Sequence, residues 1–234
     1  MAESGNVIRE VIIVDGARIC KLIQKFRDYV NYLPDQKDII EEQYEYSLRI
    51  KEDTSDMRII TIVPADLSWP EEFEKIRVMI SGFIGDLILG IEHVGSTSIP
   101  GLAAKPIIDL DVIIEDIDRL PVIIERLDKA GFDHEGNLGI EGREAFKRRF
   151  DDGYMKYHLY VCPKEAKPLK EHIAFRDYLR LHPDPALEYE RIKRDLVRKN
   201  PHDIDHYVNG KTSFVEMIVK KALVLEKKDF ILFE

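Results

Sequence analysis

The chain has little cysteine, a single tryptophan and no apolar run long enough to cross a membrane. Two cysteines in 234 residues, Cys20 and Cys162, are too few for a disulfide framework or a thiolate zinc site, so a reducing, cytoplasmic setting is expected. No stretch approaches the ~18 consecutive apolar residues of a membrane span, so no membrane partner is expected. The polar opening, residues 1–10, lacks the pattern of a signal peptide. Excess positive charge is missing too. Lys and Arg number 35 against 44 Asp and Glu, net −9, which argues against extended nucleic-acid binding. Internal repeats and low-complexity tracts are absent, which removes repeat architectures and tethers.

What is present is the composition of an ordinary globular protein, 44% hydrophobic and 34% charged, with length for one large domain or one and a half. Residues 7–14 read as a strand, and residues 17–33 and 36–51 as two helices parted by Pro34-Asp35. The short polar run 51–56 marks a seam, so residues 1–57 are read as an N-terminal extension and 58–234 as the main domain. In that domain residues 58–63 read as a strand, followed by an apolar helix from Pro70 with Ser68 as its cap. Strands are expected at 87–94 and 106–114, and a helix over 116–130 ended by Gly131. A hairpin turning at Asp151-Asp152-Gly153 pairs 145–150 with 154–162. The tail reads as helices over 169–181, from 184 to about 199, and 211–227. Strands in the middle and helices at both ends give an α+β fold, a mixed β-sheet with flanking helices and a C-terminal helical layer.

The chemistry concentrates in one run, His93-Val-Gly-Ser-Thr-Ser-Ile-Pro-Gly-Leu-Ala-Ala-Lys-Pro-Ile-Ile-Asp-Leu-Asp111. A small-residue loop, Gly95, Ser96, Thr97 and Ser98, follows a strand and lets backbone N–H groups approach phosphate oxygens. Gly-Ser turns are common, and the loop gains meaning from Asp109 and Asp111 on the next strand. Residues at i and i+2 share a strand face, so both carboxylates project together while Ile108, Leu110 and Val112 point into a core. Paired carboxylates repel and are costly to desolvate, so a cation between them is expected. Mg²⁺ (or Mn²⁺), held by one or two carboxylates plus substrate phosphates, fits best. The bland reading, a hydrated strand face, sits badly with apolar residues on both sides of the pair.

A third ligand is expected from a neighbouring strand, where residues 154–162 offer no carboxylate but do offer His158. Its imidazole could complete the metal site with Asp109 and Asp111 or act as a general base on a substrate hydroxyl. An ordinary surface or core histidine is the competing reading. Residues 143–199 carry 15 Lys and Arg against 10 Asp and Glu, a local excess that suits an anionic ligand. Lys105, Arg148, Arg149, Arg176, Arg180 and Lys193 are candidates for phosphate contacts, with Arg176 and Arg180 sharing one helix face. Each taken alone also fits a solvated surface charge. Gly210-Lys211-Thr212 imitates the end of a P-loop, but the required earlier glycine is Asp205, so Lys211 is retained only as a phosphate contact at a helix start. Pro201 and a broken apolar pattern give no helix on which His202 and His206 would share a face.

The run from His93 to Val112 resembles the signature of the GrpB-like proteins. The blocks 174–183, 189–193 and 207–212 are similar to their C-terminal half, and the resemblance covers about residues 58–226. It implies a nucleotidyltransferase-like fold, with Gly95, Ser96, Asp109 and Asp111 on the Gly-Ser and Asp-x-Asp positions of that superfamily. It implies His158 where those enzymes carry a third carboxylate. Some members are fused to dephospho-coenzyme A kinase. The expected function is metal-dependent transfer of a nucleotidyl group from an NTP to an unidentified acceptor. The alternatives are an inactive nucleotide- or coenzyme-binding module linked to coenzyme A metabolism, and an interaction protein reusing the fold. Assembly into a homo-oligomer stays open.

Overall fold

The computed structural model describes residues 59–231, with side chains as far as residue 225. The strand and helical pair expected within residues 1–57 lie outside the described residues, as does Cys20. Five strands form one mixed sheet: β1 (Gly90–Val94), β2 (Ile108–Ile114), β3 (Phe132–Gly136), β4 (Glu144–Arg148) and β5 (Tyr157–Pro163), in the order β1-β2-β5-β4-β3. Only β2 and β5 are parallel. A parallel pair needs a long crossover, supplied here by helix α2 (Leu120–Lys129) with β3 and β4.

β2 is the centre of the molecule. Its even residues Ile108, Leu110, Val112 and Ile114 are fully buried. They meet α1 (Trp69–Ile84) through Ile76, Ile80 and Ile84, and α2 through Ile123 and Leu127, in a single core that also holds Leu159 and Val161 of β5. In α1 the buried residues fall at helical spacing, so one stripe faces the sheet. The opposite face of the sheet lies under α3 (Lys167–Leu181), which packs with α4 (Pro183–Lys199) and α5 (Ile204–Ile231). A second core, including Ile99, Leu102, Phe175, Tyr189, Phe214 and Ile218, joins these helices to the segment after β1. No helix among the described residues is long and apolar enough to cross a membrane.

Several local expectations are corrected. Residues 59–63 form no strand. Ile60 donates to the Pro201 carbonyl, while Val63 makes only an isolated bridge with Ala104. Pro64 follows and has no N–H with which to extend a ladder. Ser68 does not cap α1 with its hydroxyl, because its backbone is already helical; its N–H is instead received by Asp66 Oδ1 at 2.8 Å. β3 was not foreseen, because it is an edge strand whose one buried residue is Phe132. α5 begins at Ile204 rather than 211, which puts His206, Gly210 and Lys211 inside a helix. A Cβ on Gly210 would stand 2.3 Å from Leu196 Cδ2, so this glycine serves the contact between α4 and α5 and not a phosphate loop.

Candidate active site

The sheet register builds the site. Asp109 lies between Val94 and His158, and Asp111 between Glu92 and Tyr160, so these side chains share the face under α3. His158 Nδ1 lies 2.9 Å from Asp109 Oδ1, and His172 Nδ1, from α3, lies 2.7 Å from Asp111 Oδ2. Each carboxylate thus carries one imidazole. Asp111 is completely buried, and its Oδ1 has no hydrogen-bond partner among the described residues. Burial works to lower the His172 pKa, but the hydrogen bond and charge of Asp111 prevail and hold it above its ordinary value.

His172, Arg176 and Arg180 stand at i, i+4 and i+8 on the face of α3 that meets the sheet. Arg176 bonds Glu92 and the His93 carbonyl, and Arg180 grips the Ser98 carbonyl with Nε at 3.0 Å and Nη2 at 2.8 Å. Arg176 therefore ties α3 to the end of β1, and Arg180 braces the loop that follows it.

That loop is a short 3-10 turn, Ser96–Ser98, entered through Gly95 at φ +71°. Only glycine fits there, for a Cβ would lie 2.1 Å from Asp109 Oδ2. The turn and the first carboxylate are consequently in contact across 14 residues of sequence. Thr97 and Ser98 are buried and spent on the loop itself: Thr97 Oγ1 donates to the Ile107 carbonyl, and Ser98 Oγ to that of Gly95 at 2.6 Å. Thr97 also receives His93 Nε2 at 3.0 Å, and His93 stacks on Phe73 with centroids 4.7 Å apart. Burial pushes the His93 pKa down to about 4, so this ring is neutral at pH 7.

Gly95, Ser96, Asp109 and His158 line a cleft of about 360 Å³ together with Lys105 and Lys211. Burial lowers the pKa of both lysines, and Asp109 opposes the shift in each. Both lie near one ring, with Lys105 Nζ 5.7 Å and Lys211 Nζ 5.0 Å from the Tyr207 centroid. Lys211 arrives from the second turn of α5, not from a helix start. Lys193 lies beneath the turn, bonded to Ser96 Oγ at 3.2 Å and to the Ala103 carbonyl, its Nζ 4.7 Å from the Tyr189 centroid. Burial, reinforced by the charge of Lys211, brings the Lys193 pKa down to about 7.

The two remaining arginines are elsewhere. Arg149 is held by Asp128 and Asp133 beside β3, and Arg148 lies over Phe132. His172, Arg143, Tyr160 and Tyr207 also line the cleft and are not among the residues singled out from the sequence. Arg143 lies 4.2 Å over the Tyr160 ring, with a buried Nε that has no hydrogen-bond partner among the described residues. A signal for His172 existed. The stripe of Arg176 and Arg180 runs back one turn onto it.

A divalent cation fits Asp109 and Asp111 by the chemistry of hard oxygen donors and by the unpartnered Asp111 Oδ1. The expected three-residue set is not assembled. Among the described residues no three His, Cys, Asp or Glu side chains gather for a metal, and the described nitrogen contact of His158 is to Asp109. Phosphate and water oxygens would have to complete such a site.

The GrpB protein family matches residues 59–221. YqkA of Bacillus subtilis is 33% identical over 70% of this chain and 48% of its own length. The protein of Mycolicibacterium paratuberculosis named dephospho-CoA kinase is 24% identical over 70% of this chain and 46% of its own length. The chain thus spans about half the length of these two relatives. The crystal structure of GrpB from Enterococcus faecalis superposes with a TM-score of 0.64 at 32% identity, covering 71% of this chain and 99% of that one. The matched span takes in the Gly95 turn, the Asp109–Asp111 strand and the helix bearing His172, so the site itself lies within it, and the chain belongs to the GrpB family.

Proposed function

We propose that this site binds a nucleoside triphosphate with Mg²⁺ (or Mn²⁺) and transfers its nucleotidyl group to an acceptor oxygen. The observation that carries this reading is the contact of Gly95 with Asp109 in a cleft also lined by Lys105, Arg143 and Lys211. A phosphate-binding turn, paired carboxylates and three cationic side chains are the parts that positioning and charge neutralisation of a triphosphate need. Lys105, Lys211 and Arg143 contact the phosphates, and Ser96 presents the turn while Lys193 supports it from below. His158 and His172 orient the two carboxylates. Arg176 acts through the end of β1 and Arg180 through the loop after it, and Arg149, paired with Asp128 and Asp133, is assigned no part. A cation bound to Asp109 and Asp111 would supply charge neutralisation and polarisation at the α-phosphate. In the transfer, the acceptor oxygen bonds to the α-phosphorus, the bridging P–O bond breaks, pyrophosphate leaves with the electron pair, and the acceptor proton passes to solvent.

Asp109→Ala and Asp111→Ala should abolish Mg²⁺-dependent pyrophosphate release from NTPs. Release continuing at the wild-type rate would remove the assignment. A second reading, a binding module without catalysis, is favoured by the imidazole on each carboxylate where a third carboxylate is expected. It requires calorimetric nucleotide binding with no pyrophosphate release from any acceptor. Coenzyme A precursors belong in both panels, given the name of the M. paratuberculosis relative.

A further inference from the structure

A second cleft, of about 490 Å³, opens between α3 and α5. It meets the first at two residues, Gly95 and His172, which line both. The chemistry changes sharply at that junction. The first cleft is lined by Lys105, Arg143 and Lys211, whereas the second is walled by Phe175, Val215, Val219, Leu223 and Val224. Its charged lining residues are Glu171, which pairs with Lys167 at 3.5 Å, Glu216 and Lys220, so it lacks the convergence of cations that marks the first cleft. Phe175 and Val219 are buried, while Val224 remains 47% exposed at the rim. The volume falls within the roughly 300–1,000 Å³ typical of small-molecule sites, which are mainly apolar with a few placed polar groups. An apolar compartment without converging cations that ends on the glycine beside Asp109 suits the other reactant, not the triphosphate.

We infer that the cleft between α3 and α5 is the acceptor site, and that the acceptor is a small molecule with an apolar body, no net negative charge and a hydroxyl at the end that enters beside Gly95 and His172. This rests on the nucleotidyl-transfer reading. The apolar body lies against Val215, Val219 and Leu223, with Glu171 and Glu216 excluding anionic competitors. The hydroxyl oxygen then forms the bond to the α-phosphorus as the bond to pyrophosphate breaks, and its proton is released to water.

A matched pair of dyes tests the site without knowledge of the acceptor. Neutral N-phenyl-1-naphthylamine should bind the full chain at least fivefold more tightly than its sulfonated counterpart, 1-anilinonaphthalene-8-sulfonate. Val224→Trp, a change at an exposed rim position, should weaken the neutral dye at least tenfold while Mn²⁺-ATP affinity stays within twofold. Bound Mn²⁺-ATP should broaden the proton resonances of the neutral dye, because the two clefts share a wall. Equal affinity for the two dyes, unchanged dye binding in Val224→Trp, or dye resonances untouched by bound Mn²⁺-ATP would each overturn the acceptor site and leave the nucleotide site standing. If calorimetry shows that Mn²⁺-ATP does not bind, the nucleotidyl-transfer reading fails, and the acceptor assignment fails with it.

Discussion

Gly95 is the residue at which backbone geometry and chemistry meet. Its φ of +71° is costly for any side chain, and the missing Cβ leaves the room that Asp109 Oδ2 occupies. Gly95→Ala should therefore displace Asp109 and reduce nucleotide affinity at least tenfold; affinity within twofold of wild type, measured by calorimetry, would contradict this. Lys193 makes a different demand, since its ammonium is almost fully enclosed. Burial holds its pKa at about 7 in the folded chain against 10.5 in the unfolded one. Between those values the unfolded chain binds the extra proton, so stability rises with pH across about 7 to 10.5 and this contribution is smallest below 7. The contribution across the window is on the order of a few kcal/mol. Denaturation at pH 6.5 and pH 9.5 should show a steeper gain for wild type than for Lys193→Met, and parallel gains would refute the burial argument.

Elements divide by how plainly their sequence states their surroundings. β2 alternates strictly, with Ile108, Leu110, Val112 and Ile114 in the core and Asp109 and Asp111 on the functional face. Leu110→Ala leaves a cavity between sheet and helices and should cost about 2–5 kcal/mol in chemical denaturation; a loss below ~1 kcal/mol would show that the core does not close over β2 as described. The same alternation made β2 and its carboxylates legible from sequence, as it did the turn at Gly95. β3 carried no such pattern, because an edge strand buries little and Phe132 alone faces the core. The start of α5 was hidden by Gly210, which reads as a loop residue until Leu196 of α4 is seen packed where its side chain would be. His172 is marked locally only by its stripe with Arg176 and Arg180, and its partner is not local. It reaches Asp111 across 61 residues, and only the folded pairing of α3 with the sheet joins them.

At the scale of the whole molecule, charge is sorted rather than balanced. The chain is net −9, yet Lys105, Arg143 and Lys211 converge on one cleft while the adjoining cleft is apolar with Glu171, Glu216 and Lys220. Membership of the GrpB family places the described domain among relatives that include chains about twice its length, so the domain matches one part of some larger proteins. The sequence conveyed the mixed sheet, the flanking helices and half of the site, because those follow from local pattern and strand register. It withheld the contacts of Arg176, Arg180 and Lys193, whose charges pass for surface charges until β1 and the loop after it are folded against them. The proposed function stands on a cation-dependent nucleotide site at Asp109 and Asp111. Its most direct test is a thermal-shift titration of NTPs with and without Mg²⁺ on wild type and Asp109→Asn, because a ligand bound only by the folded state raises its apparent stability. The expected result is a Mg²⁺-dependent rise in Tm for wild type that Asp109→Asn loses while its ligand-free Tm stays within a few degrees of wild type; an equal rise in both proteins would contradict the claim.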